Sequence, residues 1–245
     1  MEKTASDIRI DEIGFSGYRL VQNPEWFCYG VDAVLAADFA RMKKGAKAAD
    51  LGCGTGIIPL VLFHKYRPGK IYGVEVQPEV AALANQTVAL NGLEEKIEIL
   101  CANVTQAVEK IGENCLDAVV TNPPYVAQGE GLRSDNPQKA IARHEIAGSL
   151  EDFIRSGGAL LKEGGDFYMI HRPARLVDVI ALCRKYRLEP KELQFIQPAE
   201  GKKPNIFRIH CVKYGKPELR FLDPLCVYDR DGAYTQQILE IYERK

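Results

Sequence analysis

The stretch AKAADLGCGTG (46–56) decides the fold. Residues 46–52 read as a strand, glycines stand at 52, 54 and 56, and Gly56 to Lys65 reads as a helix. Glycine at these places lets the chain turn tightly from strand to helix and brings bare backbone against a ligand, where a Cβ would intrude. The spacing is GxGxG rather than the GxGxxG of dinucleotide sites, because position 57 is Ile, and the P-loop lysine is absent.

The same alternation continues outward from this loop. IYGVEV (71–76) is a second strand, and Pro78 to Asn91 a helix that begins on proline, where the missing N–H has no intrahelical partner to lose. IEILCA (97–102) is a third strand and LDAVVTN (116–122) a fourth, almost continuously apolar as a strand covered on both faces should be. Pro123 and Pro124 end it, since proline cannot donate to a ladder. A helix is expected at about 148–162, a strand at DFYMI (166–170) and a helix from Arg175 to Tyr186. ELQFIQP (192–198) and NIFRIHCVKYG (205–215), joined by AEGKKP, read as an antiparallel hairpin, and VDAVLAADFARM (31–42) as a helix ahead of the first strand. The expected fold is α/β and Rossmann-like: a mostly parallel seven-stranded sheet with one antiparallel strand near the edge and helices on both faces. A single domain is expected over 1–245, with an N-terminal segment and helix (1–45), a core (46–215) and a C-terminal closing segment (216–245). Residues 127–144 have few apolar anchors and read as a long, partly disordered loop.

Composition narrows the class. Of 245 residues, 46% are apolar and 27% charged, which excludes a disordered tail or a disulfide-stapled miniature. With 32 Lys plus Arg against 33 Asp plus Glu, no global polycation is present. Seven scattered cysteines without a CxxC pair point to reduced thiols and against a structural zinc; no metal is expected. The acid-rich start MEKTASDIRIDEIG is unlike a signal peptide, and the longest uncharged apolar run, Leu51 to Phe63, is too short to span a bilayer. A cytoplasmic protein without membrane contact is expected, as a monomer or weak homodimer.

Chemistry gathers at the carboxyl ends of the strands. Glu75, ending the second strand, stands where a carboxylate accepts hydrogen bonds from both hydroxyls of a ribose, and Asn103 follows the third strand on the same edge. Together with the glycine loop they favour a nucleoside cofactor over a plain turn. Asn122-Pro-Pro-Tyr125 ends the fourth strand. Making a planar exocyclic amine attack an electrophile needs acceptors for both amine hydrogens, so that its delocalised lone pair is held in line with the reacting centre. The Asn122 side-chain carbonyl and the backbone carbonyl of Pro123 are two such acceptors, and Tyr125 offers a π-face for a flipped-out base.

With these motifs the sequence resembles the class I S-adenosylmethionine-dependent methyltransferases. The resemblance implies S-adenosyl-L-methionine as cofactor, with Asp50, Gly52 and Gly54 around its methionine part and Gly56 completing the loop. It places Glu75 at the ribose and Asn103, where many relatives carry Asp, near the adenine. N-P-P-Y further resembles the group acting on planar amine or amide nitrogens. Within that group, PEWFCYGVDAVLAADF (24–39), ARHEIAGSLEDFI (142–154) and YTQQILEIY (234–242) make the chain most similar to the bacterial valine-tRNA adenine-N6 methyltransferases. That resemblance implies tRNA as partner and the adenosine next to the anticodon as acceptor. Asp32 either borders the cofactor or serves a helix N-terminus.

Residues 172–220 hold twelve Lys/Arg and five Asp/Glu. In that basic stretch Lys202 and Lys203, and in the loop after the tetrapeptide Arg133, Lys139, Arg143 and His144, are candidates for RNA phosphates; solvated surface charge is the plainer reading of each. His64, His210, Cys53 and Trp26 read as structural. Other acceptors stay open: guanine or adenine in ribosomal RNA, DNA adenine, or a protein glutamine, whose enzymes carry a helical N-terminal domain for which 45 residues leave too little room. A non-catalytic RNA-binding relative also stays open.

Overall fold

The computed structural model describes residues 8–24, 28–125 and 148–243. An antiparallel ribbon, β1 (Arg9–Glu12) and β2 (Arg19–Gln22), precedes helix α1 (Val31–Phe39). There follow β3 (Lys47–Leu51), α2 (Ile57–Tyr66), β4 (Lys70–Glu75), α3 (Pro78–Leu90), β5 (Ile97–Cys101), the short α4 (Ala107–Ile111) and β6 (Leu116–Thr121). Beyond the tetrapeptide lie α5 (Leu150–Leu160), β7 (Leu161–His171), α6 (Leu176–Lys185), β8 (Leu188–Ala199), β9 (Ile206–Lys213), β10 (Arg220–Tyr228) and α7 (Gln236–Ile241).

The main sheet has eight strands in the order β10-β8-β9-β7-β6-β3-β4-β5. Only β9 runs against the rest, pairing antiparallel with both β7 and β8. The reversed strand of the expected hairpin is therefore present. The expected count of seven is corrected to eight, because β10, inside the stretch read as a closing segment, pairs parallel with β8. Asp223 and Pro224 interrupt its strand pattern, and the register shifts between Leu222 and Leu225, as proline at an edge strand requires. Strand β7 starts five residues earlier than DFYMI, since Gly164 and Gly165 hide its first half from a propensity reading.

Side-chain alternation divides the core between the two sheet faces. Ala48 and Val120 pack with α1, α2, the N-terminal ribbon residue Leu20 and α7, whereas Ala49 and Val119 pack with α4, α5 and α6. Helix α2 (IIPLVLFHKY) is apolar nearly all round, and Ile57 to Leu62 are all buried, as such a helix must be. Each fully buried Leu here contributes about 1.5–3 kcal/mol. The C-terminal end returns to the same face: Tyr242 stacks on Phe15 at 5.9 Å, and Lys65 Nζ donates to the carbonyl of Ile241. Among the described residues, no helix is long and apolar enough to cross a membrane.

Because every strand of the main sheet but β9 points the same way, the loops after β3, β4, β5, β6, β7 and β8 emerge on one edge. A cleft of about 680 Å³ lined by Arg41, Lys44, Asp117, Lys162 and Asp166 opens at the opposite edge, remote from those loops.

Candidate active site

The glycine loop hangs from β4. The amides of Gly52 and Cys53 both donate to the carbonyl of Val74, at 2.8 and 3.0 Å. The Glu75 carboxylate, buried at the end of β4, accepts from Gly54 N at 3.0 Å and from Gln77 N at 2.9 Å. Gly54 has φ +54°, and a Cβ built there meets nothing within 4 Å, so this side of the loop is open. Gly52 and Gly56 are also left-handed. Beneath the loop Asp50 is fully buried, and neither of its carboxylate oxygens has a partner. Burial, and secondarily the charge of Glu75, pushes its carboxyl well above the usual range. Burial, then Asp50 and Glu75, pushes the Cys53 thiol up in the same way, which suits the structural reading of that cysteine.

The tetrapeptide is fastened beside this loop. Thr121 Oγ1 donates to the buried carbonyl of Leu51 at 2.8 Å and ties the end of β6 to the end of β3. Asn122 and Tyr125 then meet Asp32 of α1. Asn122 Nδ2 lies 3.2 Å and the Tyr125 hydroxyl 2.9 Å from Asp32 Oδ2, and that hydroxyl is also 2.5 Å from Asn122 Oδ1. Burial first, and then the charge of Asp32, lifts the Tyr125 phenol well above its usual value. Asp32 Oδ1 accepts from Ala33 N at 3.0 Å. Gly30 permits this arrangement, because a Cβ there would lie 2.6 Å from Asp32 Oδ1. Pro123 is buried next to Asn122.

Two residues at the end of β7 join this cluster and escaped the sequence reading. The His171 ring meets Tyr125 edge-on at 5.3 Å, and the Arg172 guanidinium lies 5.5 Å over the Tyr125 ring. Burial, then Arg175, lowers His171 to about 4, so it is neutral at physiological pH. Neither belongs to a motif; the signal was position alone, at the carboxyl end of the strand next to β6.

Other expected residues are placed less centrally. Asn103 follows β5 on the expected edge, but its Oδ1 accepts from Thr105 N and Thr105 Oγ1 in a capping box with Gln106. Lys202 and Lys203 are exposed in the β8–β9 loop on the site edge, about 14 Å from β6 by three strand spacings. Arg133, Lys139, Arg143, His144 and Trp26 lie outside the described residues. His64 hydrogen-bonds Ser16 and Glu243, while His210 pairs with Asp166 at 2.7 Å and stacks on Tyr168, in line with structural roles.

The donor set fits S-adenosylmethionine. Asp50 is a buried carboxyl group without a partner, whose ionised form a cationic ligand beside it would favour. Gly54 leaves room for close backbone approach, and Glu75 supplies carboxylate acceptors at the strand end. Fold and site together define an S-adenosylmethionine-dependent methyltransferase. The sequence profile of the methyltransferase small domain family matches residues 18–180, and the chain belongs to that family. A tRNA1(Val) (adenine(37)-N6)-methyltransferase of Porphyromonas gingivalis is 26% identical over 87% of this chain and 86% of its own length. One of Haemophilus influenzae is 24% identical over 93% and 94%. Among solved structures, that of a predicted O-methyltransferase from Agrobacterium tumefaciens is similar with a TM-score of 0.71 and 23% identity, covering 86% of this chain and 95% of that one.

Proposed function

We propose that the protein transfers a methyl group from S-adenosylmethionine to N6 of an adenosine in tRNA, at adenine 37 of valine tRNA, the position in its relatives' names. The observation that carries the reading is the placement of Asn122 at the end of β6, tied through Thr121 to the strand that opens the glycine loop. Asp50 and the backbone of Gly52, Gly54 and Gly56 hold the methionine end of the cofactor, and Glu75 its ribose. When bound, the cofactor supplies a methyl group activated on a cationic sulfur. Asn122 Oδ1 and the Pro123 carbonyl accept the two amine hydrogens and hold the nitrogen for in-line attack. No strong base is called for, since the nitrogen becomes acidic once alkylated. His171 adds no charge to this pocket, because it is neutral. Tyr125 lines the base, and Lys202 and Lys203 meet RNA phosphates at the same edge.

The chain is read as one methyltransferase domain, with residues 1–45 leading into the core and 216–245 closing it. The packing of Phe15 on Tyr242 against a shared core supports this. Asn122→Ala tests the proposal: turnover on tRNA should fall about a hundredfold, the scale of one lost transition-state hydrogen bond. Cofactor Kd should stay within a few-fold. Retained turnover would remove Asn122 from the mechanism.

A further inference from the structure

We propose that Asp32 is a positioning residue that fixes the Asn122 carboxamide as an acceptor toward the substrate amine. This deepens the methyl-transfer reading above and rests on it. An asparagine amide has a donor end and an acceptor end of nearly equal size, so the pocket needs something that decides which end faces the substrate. Asp32 Oδ2 takes the donor end, at 3.2 Å from Asn122 Nδ2.

The Tyr125 hydroxyl supports the same orientation of the amide. The Tyr125 hydroxyl has one proton and two acceptors, Asp32 Oδ2 at 2.9 Å and Asn122 Oδ1 at 2.5 Å. The shorter contact is to Asn122 Oδ1, so the phenol engages one lone pair of that oxygen, marks it as the acceptor end of the amide and leaves the second lone pair for an incoming N–H. Asn122 then turns an acceptor toward the substrate, which suits an amine better than a carbonyl.

The structure also says why a carboxylate stands here and an amide would not serve. Asp32 Oδ1 accepts from Ala33 N at 3.0 Å while Oδ2 accepts from Asn122. Both oxygens face N–H donors, so an asparagine at this position sets an NH2 against a donor whichever way it turns. Gly30 fits the same device, since a Cβ there would meet Asp32 Oδ1 at 2.6 Å. Asp32 reaches across 90 residues of sequence to Asn122, from the first turn of α1 to the end of β6.

The test compares wild type, Asp32→Asn, Asn122→Ala and the double variant. Asp32→Asn should lower kcat on tRNA roughly tenfold to a hundredfold, with cofactor Kd and the KM for tRNA within about threefold. In the Asn122→Ala background the same change should cost almost nothing further, because Asp32 acts through Asn122. A second arm needs no turnover. In the amide spectrum of the 15N-labelled protein without RNA, the Asn122 side-chain NH2 pair, identified by its loss in Asn122→Ala, should move in Asp32→Asn. Additive losses in kcat, a cofactor Kd that weakens as much as kcat falls, or an unmoved NH2 pair would each overturn the proposal. If wild type fails to methylate tRNA, the functional reading fails instead, and the spectrum still decides whether Asp32 holds Asn122.

Discussion

Gly54→Ala separates folding from cofactor binding. At φ +54° a residue with a Cβ carries a left-handed penalty of roughly 1 kcal/mol, and the added Cβ meets no atom of the protein within 4 Å. For a chain of this size that corresponds to a Tm lowered by about 2–4 °C. The expected cost on binding is larger, because the new methyl would fill the open side of the loop where the cofactor is proposed to lie. Overpacking a close contact costs about 1–3 kcal/mol, or roughly a fivefold to hundredfold weaker Kd. Gly73→Ala is the opposite case: its Cβ would lie 2.7 Å from Ile99 Cδ1 and 2.9 Å from Cys53 Sγ, in the packing beneath the loop. That variant should lose more Tm than Gly54→Ala. Titration calorimetry with S-adenosylmethionine gives Kd, and scanning calorimetry without it gives Tm. Gly54→Ala binding the cofactor like wild type would refute the placement of the loop against the ligand.

Asp50→Asn should stabilise the cofactor-free protein at neutral pH while weakening cofactor binding. The folded Asp50 carboxyl is raised above its ordinary value of 3.8, so the native state holds a proton that the unfolded chain releases. Wild-type stability therefore falls as pH rises from that ordinary value toward the raised one; the variant's advantage in melting temperature should grow over that range and shrink toward about pH 4. Thr121→Val leaves the Leu51 carbonyl without its 2.8 Å partner and should cost about 1–3 kcal/mol in urea denaturation; an unchanged midpoint would show that this bond does not hold β6 to β3. Lys202→Ala with Lys203→Ala should weaken tRNA binding and reduce the slope of log K against log salt by up to about 2; an unchanged slope returns both lysines to solvent.

What was legible in the sequence follows from how local each signal is. The β3–glycine–α2 turn was readable because left-handed backbone and close ligand approach both demand glycine. The end of β6 was readable because two prolines stop a ladder. Glu75 and Asn122 could be placed on one edge because parallel strands put their carboxyl ends together. By contrast β10 was hidden by Asp223 and Pro224, whose tolerance depends on the strand being at an edge. The ribbon of β1 and β2 has four residues in each strand, too few to show an alternation. Asp32 reads in the sequence as bordering the cofactor or serving a helix N-terminus, and its contact with Asn122 and Tyr125 is made by tertiary packing that no local pattern encodes. The capping role of Asn103 needed the 3-10 turn that follows it. His171 and Arg172 join the site through their strand neighbour β6 and carry no motif of their own.

In the proposed reaction Asn122 and its neighbours hold the N6 amine of a tRNA adenine for methyl transfer. Its most direct test is incubation of the protein with radiolabelled S-adenosylmethionine and unmodified bulk tRNA, followed by nucleoside digestion and chromatography. Label is expected in N6-methyladenosine. Tight cofactor binding with no label in tRNA, or label in any other nucleoside, would contradict it.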